Sequence, residues 1–448
     1  MLQNILSIVI ALGVLITFHE FGHYYIARLC GVKVLRFSVG FGKPIYRHVS
    51  RSGTEFTLAM IPLGGYVRML DEREGNVPEA LKGQTFNCKT VWQRIAIVAA
   101  GPIANFILAI AIYAVVAGMG IQAIAPKVAS VTENSPLSQT QIEPGAEITQ
   151  LNGVATHSWE DVNLALADLI GRTGTYTVRY QFLDTNLERE ERFTLNRWLA
   201  GEEPSNLISE FGVVPWRPQV VPTISEVVTG GAAEKAGFLK GDTVKAINAE
   251  PVSDWQSFVS WVQKSPDTAL DVVVDRSGQK IDLSLVPDAR EVNGTVMGFA
   301  GLAVEPPVLS DDDIRTREFG FLGAAVYGVQ QTWKMTALTV SSIGKMIQGL
   351  ISLDNLSGPI TIAKVASASA DSGVQSFLKF LAYLSVSLGV LNLLPIPMLD
   401  GGHLLFFGIE AVRRKPVSER IQGFAYRFGA SLLFAMMAVA LFNDIARL

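Results

Sequence analysis

Four stretches of this chain, roughly residues 5–27, 95–120, 377–397 and 424–443, each run for about twenty mostly apolar residues, the length a helix needs to cross the hydrocarbon of a bilayer. Lipid offers backbone amides no water, so these stretches must close their hydrogen bonds internally, and a polytopic α-helical membrane protein is expected. Composition agrees: 49% of the 448 residues are hydrophobic and only 17% are charged. A net charge of −4 gives no general basic character, which argues against nucleic acid as a partner. Two cysteines, Cys30 and Cys88, cannot build a disulfide framework. The first stretch has no Lys or Arg before Arg28 and no small-residue cleavage site after its apolar run, so it reads as a retained span rather than a signal peptide.

Basic residues set the orientation. Eleven lie from Arg28 to Arg94 and five from Arg413 to Arg427, in the loops between consecutive spans, and both loops are expected to face the cytoplasm with the two termini outside. Residues 121–376 carry 19 basic and 31 acidic side chains, an imbalance that a large translocated domain tolerates. Within them the apolar stretch Phe319–Leu353 contains Lys334, Lys345 and the Gln330–Gln331 pair. It is expected to form amphipathic helices against the bilayer or the protein rather than a fifth span.

An offset of 96 residues places Gly145 on Gly241, Asn152 on Asn248 and Trp159 on Trp255, a tandem duplication. Each copy reads as a β-rich unit: a short strand, a small-residue helix or loop, a strand ending at the Asn, a turn, and a helix through the Trp. The run Ala232 to Asn248 resembles the PDZ domains of bacterial envelope proteases. The first copy matches more loosely, with Thr140 and Gln141 where the pattern has Ala-Gly. A PDZ fold implies an edge-strand groove able to take an extended peptide; a spacer or steric filter with an empty groove fits the sequence equally.

Near the end of the first span stands His19-Glu20-Phe21-Gly22-His23, an H-E-x-x-H. On a helix His19 and His23 share one face a turn apart, so both imidazoles can bind one zinc while Glu20 reaches a water beside it. His19 lies about 14 Å of helix before Arg28, inside the apolar layer, where an uncompensated carboxylate costs at least a few kcal/mol. A metal answers that cost; a helix–helix polar contact with a neighbouring Ser or Asn is the plainer alternative. Catalytic zinc takes three protein ligands, and the third is expected from the end of the third stretch, Asn392 to His403. Asp400 is the first acid since Asp371, after a helix interrupted by Pro395 and Pro397, and His403 competes with it. The thiols of Cys30 and Cys88 read as ordinary small residues, and Met398 as packing.

Taken in order, the H-E-x-x-H in the first span, N-x-x-P-x-P-x-L-D-G from Asn392 to Gly401 in the third, and two PDZ-like copies between spans two and three resemble the site-2 proteases, zinc intramembrane peptidases, in their two-PDZ bacterial form. The resemblance covers nearly the whole chain. It implies His19, His23 and Asp400 as zinc ligands, Glu20 as general base, and Asn392, Pro395 and Pro397 as substrate contacts. It also implies a membrane-reentrant β-hairpin across Phe37–Val67, whose edge at Gly65, Tyr66 and Val67 could pair with an unwound substrate or simply shield the site. Gly101-Pro102-Ile103-Ala104-Asn105 in the second span matches a family motif too, for which a kink and small-residue packing suffice.

The segments expected are 1–30, first span; 31–94, cytoplasmic-side loop with hairpin; 95–120, second span; 121–219 and 220–309, PDZ-like units; 310–376, amphipathic connecting helices; 377–402, third span; 403–423, cytoplasmic loop; and 424–448, fourth span. The resemblance implies an endopeptidase of the bacterial inner membrane, with termini and PDZ units periplasmic and the site toward the cytoplasm. Single-pass proteins would be its substrates, such as an anti-sigma factor already shortened outside and remnant signal peptides, and the PDZ pair would act as a size filter. The competing expectation is a non-proteolytic PDZ-bearing membrane scaffold, separable by metal content and by Glu20→Gln.

Overall fold

The first apolar stretch forms a 28-residue helix, α1 (Leu2–Leu29), about 42 Å long and so more than enough to cross a hydrocarbon core of about 30 Å. The computed structural model describes residues 2–75, 77–182, 187–202, 206–218, 220–292, 295–304, 309–310, 312–352 and 358–446. Two strands, β1 (Val34–Val49) and β2 (Glu55–Met69), follow α1 and form a bent antiparallel hairpin. Helix α2 (Val91–Gly118) opens on a capping box, in which the Thr90 side chain accepts from the Gln93 amide and the Gln93 side chain accepts from the Thr90 amide.

Two β-rich units come next, each with its own core. In the first, strands 147–151, 154–155, 174–181 and 188–195 form one sheet, with helices α3 (Trp159–Leu169) and α4 (Leu207–Phe211). In the second, strands 243–247, 250–251, 270–276 and 279–285 repeat that order, with α5 (Ala232–Lys235) and α6 (Trp255–Lys264). The turn residues Asn152 and Asn248 both sit at positive φ, 48° and 49°, a conformation Asn tolerates. Trp159 and Trp255 each open a helix capped by the preceding Ser158 or Asp254. Where the sequence match is loose the fold departs as well: the second copy has helix α5, the first a single 3₁₀ turn, Leu137–Gln139. The expected boundary residue 219 and the last residues of the second unit, 305–308, lie outside the described residues.

A strand at Ile314–Arg317 returns the chain to α2 by pairing with Ile121–Ile124. Among the described residues that remain, five helices follow: α7 (Phe321–Ile347), α8 (Pro359–Asp371), α9 (Val374–Leu393), α10 (Asp400–Arg413) and α11 (Glu419–Ala446). α2 packs against α1, α7, α9 and α10 around Leu15, Ala109, Ile112, Val116, Ala382 and Val386. Glycines permit the close approaches that lipid, offering no hydrophobic drive, demands of membrane helices: a Cβ on Gly22 would fall on the Ala100 carbonyl, and one on Gly328 on that of Ile110. Stretches Ile8–Leu29, Val91–Gly118, Val374–Leu393 and Glu419–Ala446 are long and apolar enough to cross a membrane.

Three expectations need adjustment. The third span, expected over 377–402, is helical only to Leu393, because Pro395 and Pro397 cannot continue the ladder. The loop expected over 403–423 is helical to Arg413, since α10 starts at Asp400. The Phe319–Leu353 stretch, up to its described part, contains one continuous 27-residue helix rather than several; it buries Ala324, Gly328, Thr332 and Met335 and exposes Trp333 and Ile347.

The first unit is tied to these helices. Asp161 at the start of α3 meets Lys334 of α7 at 3.0 Å, Glu160 meets Lys379 of α9 at 3.4 Å, and Lys345 donates to the carbonyls of Ala167 and Asp168 at the end of α3 (2.9 and 2.6 Å). A cation at a helix C-terminus also complements its dipole. Near the end of α11, buried Asp444 accepts from the amides of Gly358, Ile360 and Thr361, capping α8.

Candidate active site

The helical repeat of α1 puts His19 and His23 one turn apart, with ring centroids 4.9 Å apart and planes 86° to each other. The two Nε2 atoms are 3.3 Å apart and lie 3.3 and 3.5 Å from Asp400 Oδ2. His23 Nδ1 faces the Ile97 carbonyl of α2 at 2.9 Å. A carbonyl only accepts, so Nδ1 carries the proton and Nε2 is left with its lone pair. Asp400 Oδ2 is buried without a hydrogen-bond partner among the described residues. Two imidazoles and a carboxylate therefore offer three donor atoms within 4.8 Å of one another. Such a convergence of lone pairs, with an orphaned buried carboxylate oxygen, fits a cation, and the donor set of two nitrogens and one oxygen suits zinc with a position left open.

Asp400 reaches α1 because the chain turns sharply before it. After α9 the loop Leu394–Leu399 passes through Met398 at φ 96°, a left-handed conformation that costs a bulky residue about 1–3 kcal/mol. The Met398 side chain is itself exposed, so its backbone and not its packing distinguishes it. Gly401 and Gly402 let the first turn of α10 nest into this loop: a Cβ on Gly402 would come within 2.7 Å of Pro397 Cα. α10 is then fixed to α2 by the two-pronged Arg94–Glu410 pair (2.6 and 3.2 Å), with the Arg94 guanidinium 4.9 Å above the Phe407 ring. His403, the competing third ligand, has its Nδ1 3.3 Å from the Tyr426 hydroxyl and is not among the converging three; Cys30 and Cys88 also stand apart as free thiols.

The hairpin closes the site from the side. Val34–Val39 is flanked by Glu55–Leu58 and by Gly65–Met69, which leaves Gly65–Met69 at the edge of the described sheet. Gly65 lies directly on α1; a Cβ there would be 2.9 Å from Glu20 Cγ and 2.8 Å from Ile16. The Tyr66 hydroxyl accepts from Arg36 (3.2 Å) while its ring stacks on Phe41. A cavity of about 380 Å³ opens beside these groups, lined by Glu20, His23, Val67, Arg68, Asp400 and His403 among others. Val67 thus faces the same space as Glu20. Asn392, Pro395 and Pro397 belong to the segment that delivers Asp400 and do not line this cavity.

Sequence reasoning missed the part played by the second span. Ile97, Gly101 and Asn105 recur every fourth residue, one face of α2, and that face meets the histidines. A Cβ on Gly101 would fall on His23 Nε2, and the Asn105 side-chain amide lies 3.1 Å from His19 Nδ1. The spacing was visible in the Gly101–Asn105 motif, but small residues in a membrane helix read first as packing.

The family model described as Peptidase family M50 matches residues 7–436. The chain is 44% identical to the regulator of sigma-E protease RseP of Salmonella typhimurium over 447 residues, covering 100% of this chain and 99% of that protein. It is 43% identical to the protein of the same name from Escherichia coli K12, with the same coverage. Over 448 residues it is also 43% identical to a putative zinc metalloprotease of Vibrio cholerae, covering 100% of this chain and 99% of that protein.

Proposed function

Because this chain belongs to Peptidase family M50, the site-2 proteases, and is a zinc-dependent metalloprotease, we propose that it cleaves transmembrane segments of single-pass proteins within the bilayer. The convergence of His19, His23 and Asp400 beside Glu20 carries this reading. In it, His19, His23 and Asp400 hold the ion and Glu20 is the general base. When bound, zinc supplies Lewis acidity, polarising the scissile carbonyl and acidifying water at the site.

Glu20 takes the proton of the attacking water and returns it to the leaving amine, from a position fixed by α1 and by Gly65 above it. A substrate helix hides its amides in its own hydrogen bonds, so it must unwind before attack. The edge at Gly65, Tyr66 and Val67 offers replacement backbone partners, and Asn392, with the turn at Pro395 and Pro397, steadies the chain on the other side of Asp400. The β-rich units are PDZ-like and act as a size filter on the periplasmic face of a bacterial inner membrane, with the cavity toward the cytoplasm. Shared identity with regulators of sigma-E protease supports an anti-sigma factor, shortened beforehand, and remnant signal peptides as substrates.

The test uses purified protein in detergent and a model transmembrane peptide, with product masses read with and without chelator and after zinc is restored. Glu20→Gln is expected to lower cleavage by about 10²–10⁴-fold while zinc content stays at the parent level. Cleavage that survives Glu20→Gln, or that ignores the chelator, rejects the assignment.

A further inference from the structure

Asn105 is the polar group beside the histidines that the chemistry above leaves unused. Its side chain is fully buried, its Nδ2 lies 3.1 Å from His19 Nδ1, and its Oδ1 has no hydrogen-bond partner among the described residues. His23 shows what the companion ring requires. The Ile97 carbonyl beside His23 Nδ1 can only accept, and so it fixes the tautomer whose Nε2 faces Asp400.

For His19 the corresponding neighbour is an amide, whose two ends are alike in shape and opposite in chemistry. With the N–H₂ toward the ring, a neutral His19 carries its proton on Nε2, the atom 3.3 Å from both Asp400 Oδ2 and His23 Nε2, and cannot act as a ligand. With Oδ1 toward the ring, the proton sits on Nδ1 and Nε2 is free. We infer that Asn105 is a positioning residue for His19, its amide turned over so that the orphaned Oδ1, in place of Nδ2, accepts from Nδ1–H and Nε2 presents its lone pair to the space shared with His23 and Asp400. The inference rests on the reading that these three side chains hold a metal.

Asn105 is itself held from the far side. Its backbone carbonyl accepts from the buried Ser385 hydroxyl of α9 at 2.7 Å, so one residue links α1, α2 and α9. Gly101, one turn earlier on the same face, leaves the room that both rings occupy. The arrangement follows the general pattern in which a ligating histidine gives its second N–H to a fixed acceptor, whose loss weakens metal affinity by about 10–100-fold.

The experiment uses full-length protein in detergent, stripped by chelator and titrated with Co²⁺ against a chromophoric competitor. Asn105→Leu, close in volume but without an acceptor, is expected to weaken Co²⁺ binding by about 10–100-fold, and Asn105→Asp, which retains one, to stay within about threefold of the parent. Thermal unfolding of the stripped Leu variant should match the stripped parent. Equal weakening in both variants, or a Leu variant within about threefold of the parent, overturns the inference. Should the Leu variant fail to fold, ring ¹⁵N shifts of the Zn²⁺-loaded parent decide the matter: a proton on His19 Nδ1 supports the inference, and one on Nε2 overturns it. His23→Ala is the control on the underlying reading. A parent that binds Co²⁺ no better than His23→Ala removes the metal site itself, and the role of Asn105 with it.

Discussion

The two β-rich units share strand order, turn residues and the helix opened by Trp159 or Trp255, yet their buried carboxylates point in different directions. In the second unit Asp242 is fully buried and paired with Arg276 of its own sheet, at 2.7 and 2.8 Å. The 96-residue offset puts Ala146 at that place in the first unit, and the neighbouring Glu147 reaches instead to Arg315 on the strand returning toward α2. Every ion pair described for the second unit is internal, whereas the first adds Lys127–Asp313, Asp161–Lys334 and Glu160–Lys379 to elements outside it. Duplication preserved what the backbone needs, a glycine turn, an Asn at positive φ and a Trp opening a helix. Charge placement then made one copy a docked body and left the other self-contained.

Three measurements can break or sharpen this contrast. The largest effect is expected from Arg276→Met, which leaves the buried Asp242 carboxylate with the Leu239 amide but without its cation and should destabilise the second unit. Hydrogen exchange should quicken in strands 243–247 and 270–276 and not in the first unit; loosening of both together would show that the second is not self-contained. Next is Lys345→Met, which removes the charge-assisted hydrogen bonds to the end of α3 and should cost about 1–2 kcal/mol. Faster exchange is expected at α3, and, if docking underlies the size filter, cleavage of an untrimmed substrate should rise several-fold, by about that energy, while a trimmed one is unaffected. An unchanged ratio of the two substrates would separate docking from selectivity.

Acidification should give the smallest effect. Burial alone would raise the Asp161 carboxyl, but Lys334, with the His157 amide and Ser158 hydroxyl, outweighs it and holds the group below the usual carboxylate range. A depressed folded value means that its contribution is complete above about pH 4 and fades as pH falls through that lowered value. This partly exposed pair is expected to contribute about 0.5–1 kcal/mol. Exchange at α3 should therefore be flat from pH 8 to about pH 5 after correction for intrinsic rates, and increase only below about pH 4. A loosening near pH 6 would assign the docking to some other group.

Local patterns were legible in the sequence, and contacts across the chain were largely not. The histidine pair needs only helical spacing, and the duplication announces itself through Gly145, Asn152 and Trp159 and their counterparts. Asp400 was harder, because nothing near it in sequence says which of two neighbouring side chains, Asp400 or His403, turns inward. Tyr426, 23 residues beyond His403, takes up the competitor. Helix α10 was hidden because two prolines and two glycines read as loop, although the glycines are what allow its first turn to nest. Lys334 and Asp161, 173 residues apart, carry no local signature of each other. Asn105 was misjudged for a different reason, since a small polar residue in a membrane helix has a sufficient plain explanation until the histidine ring is seen beside it.

The edge at Gly65–Met69 has a consequence for whatever lies along it. Five residues occupy about 7.5 Å as helix and about 17 Å as strand. A guest that pairs over the full edge therefore lengthens by about 9 Å, nearly a third of the thickness of a bilayer's oily interior. The remainder of its helix must slide or tilt by that amount, so guests with short, slack or glycine-broken apolar segments will yield first.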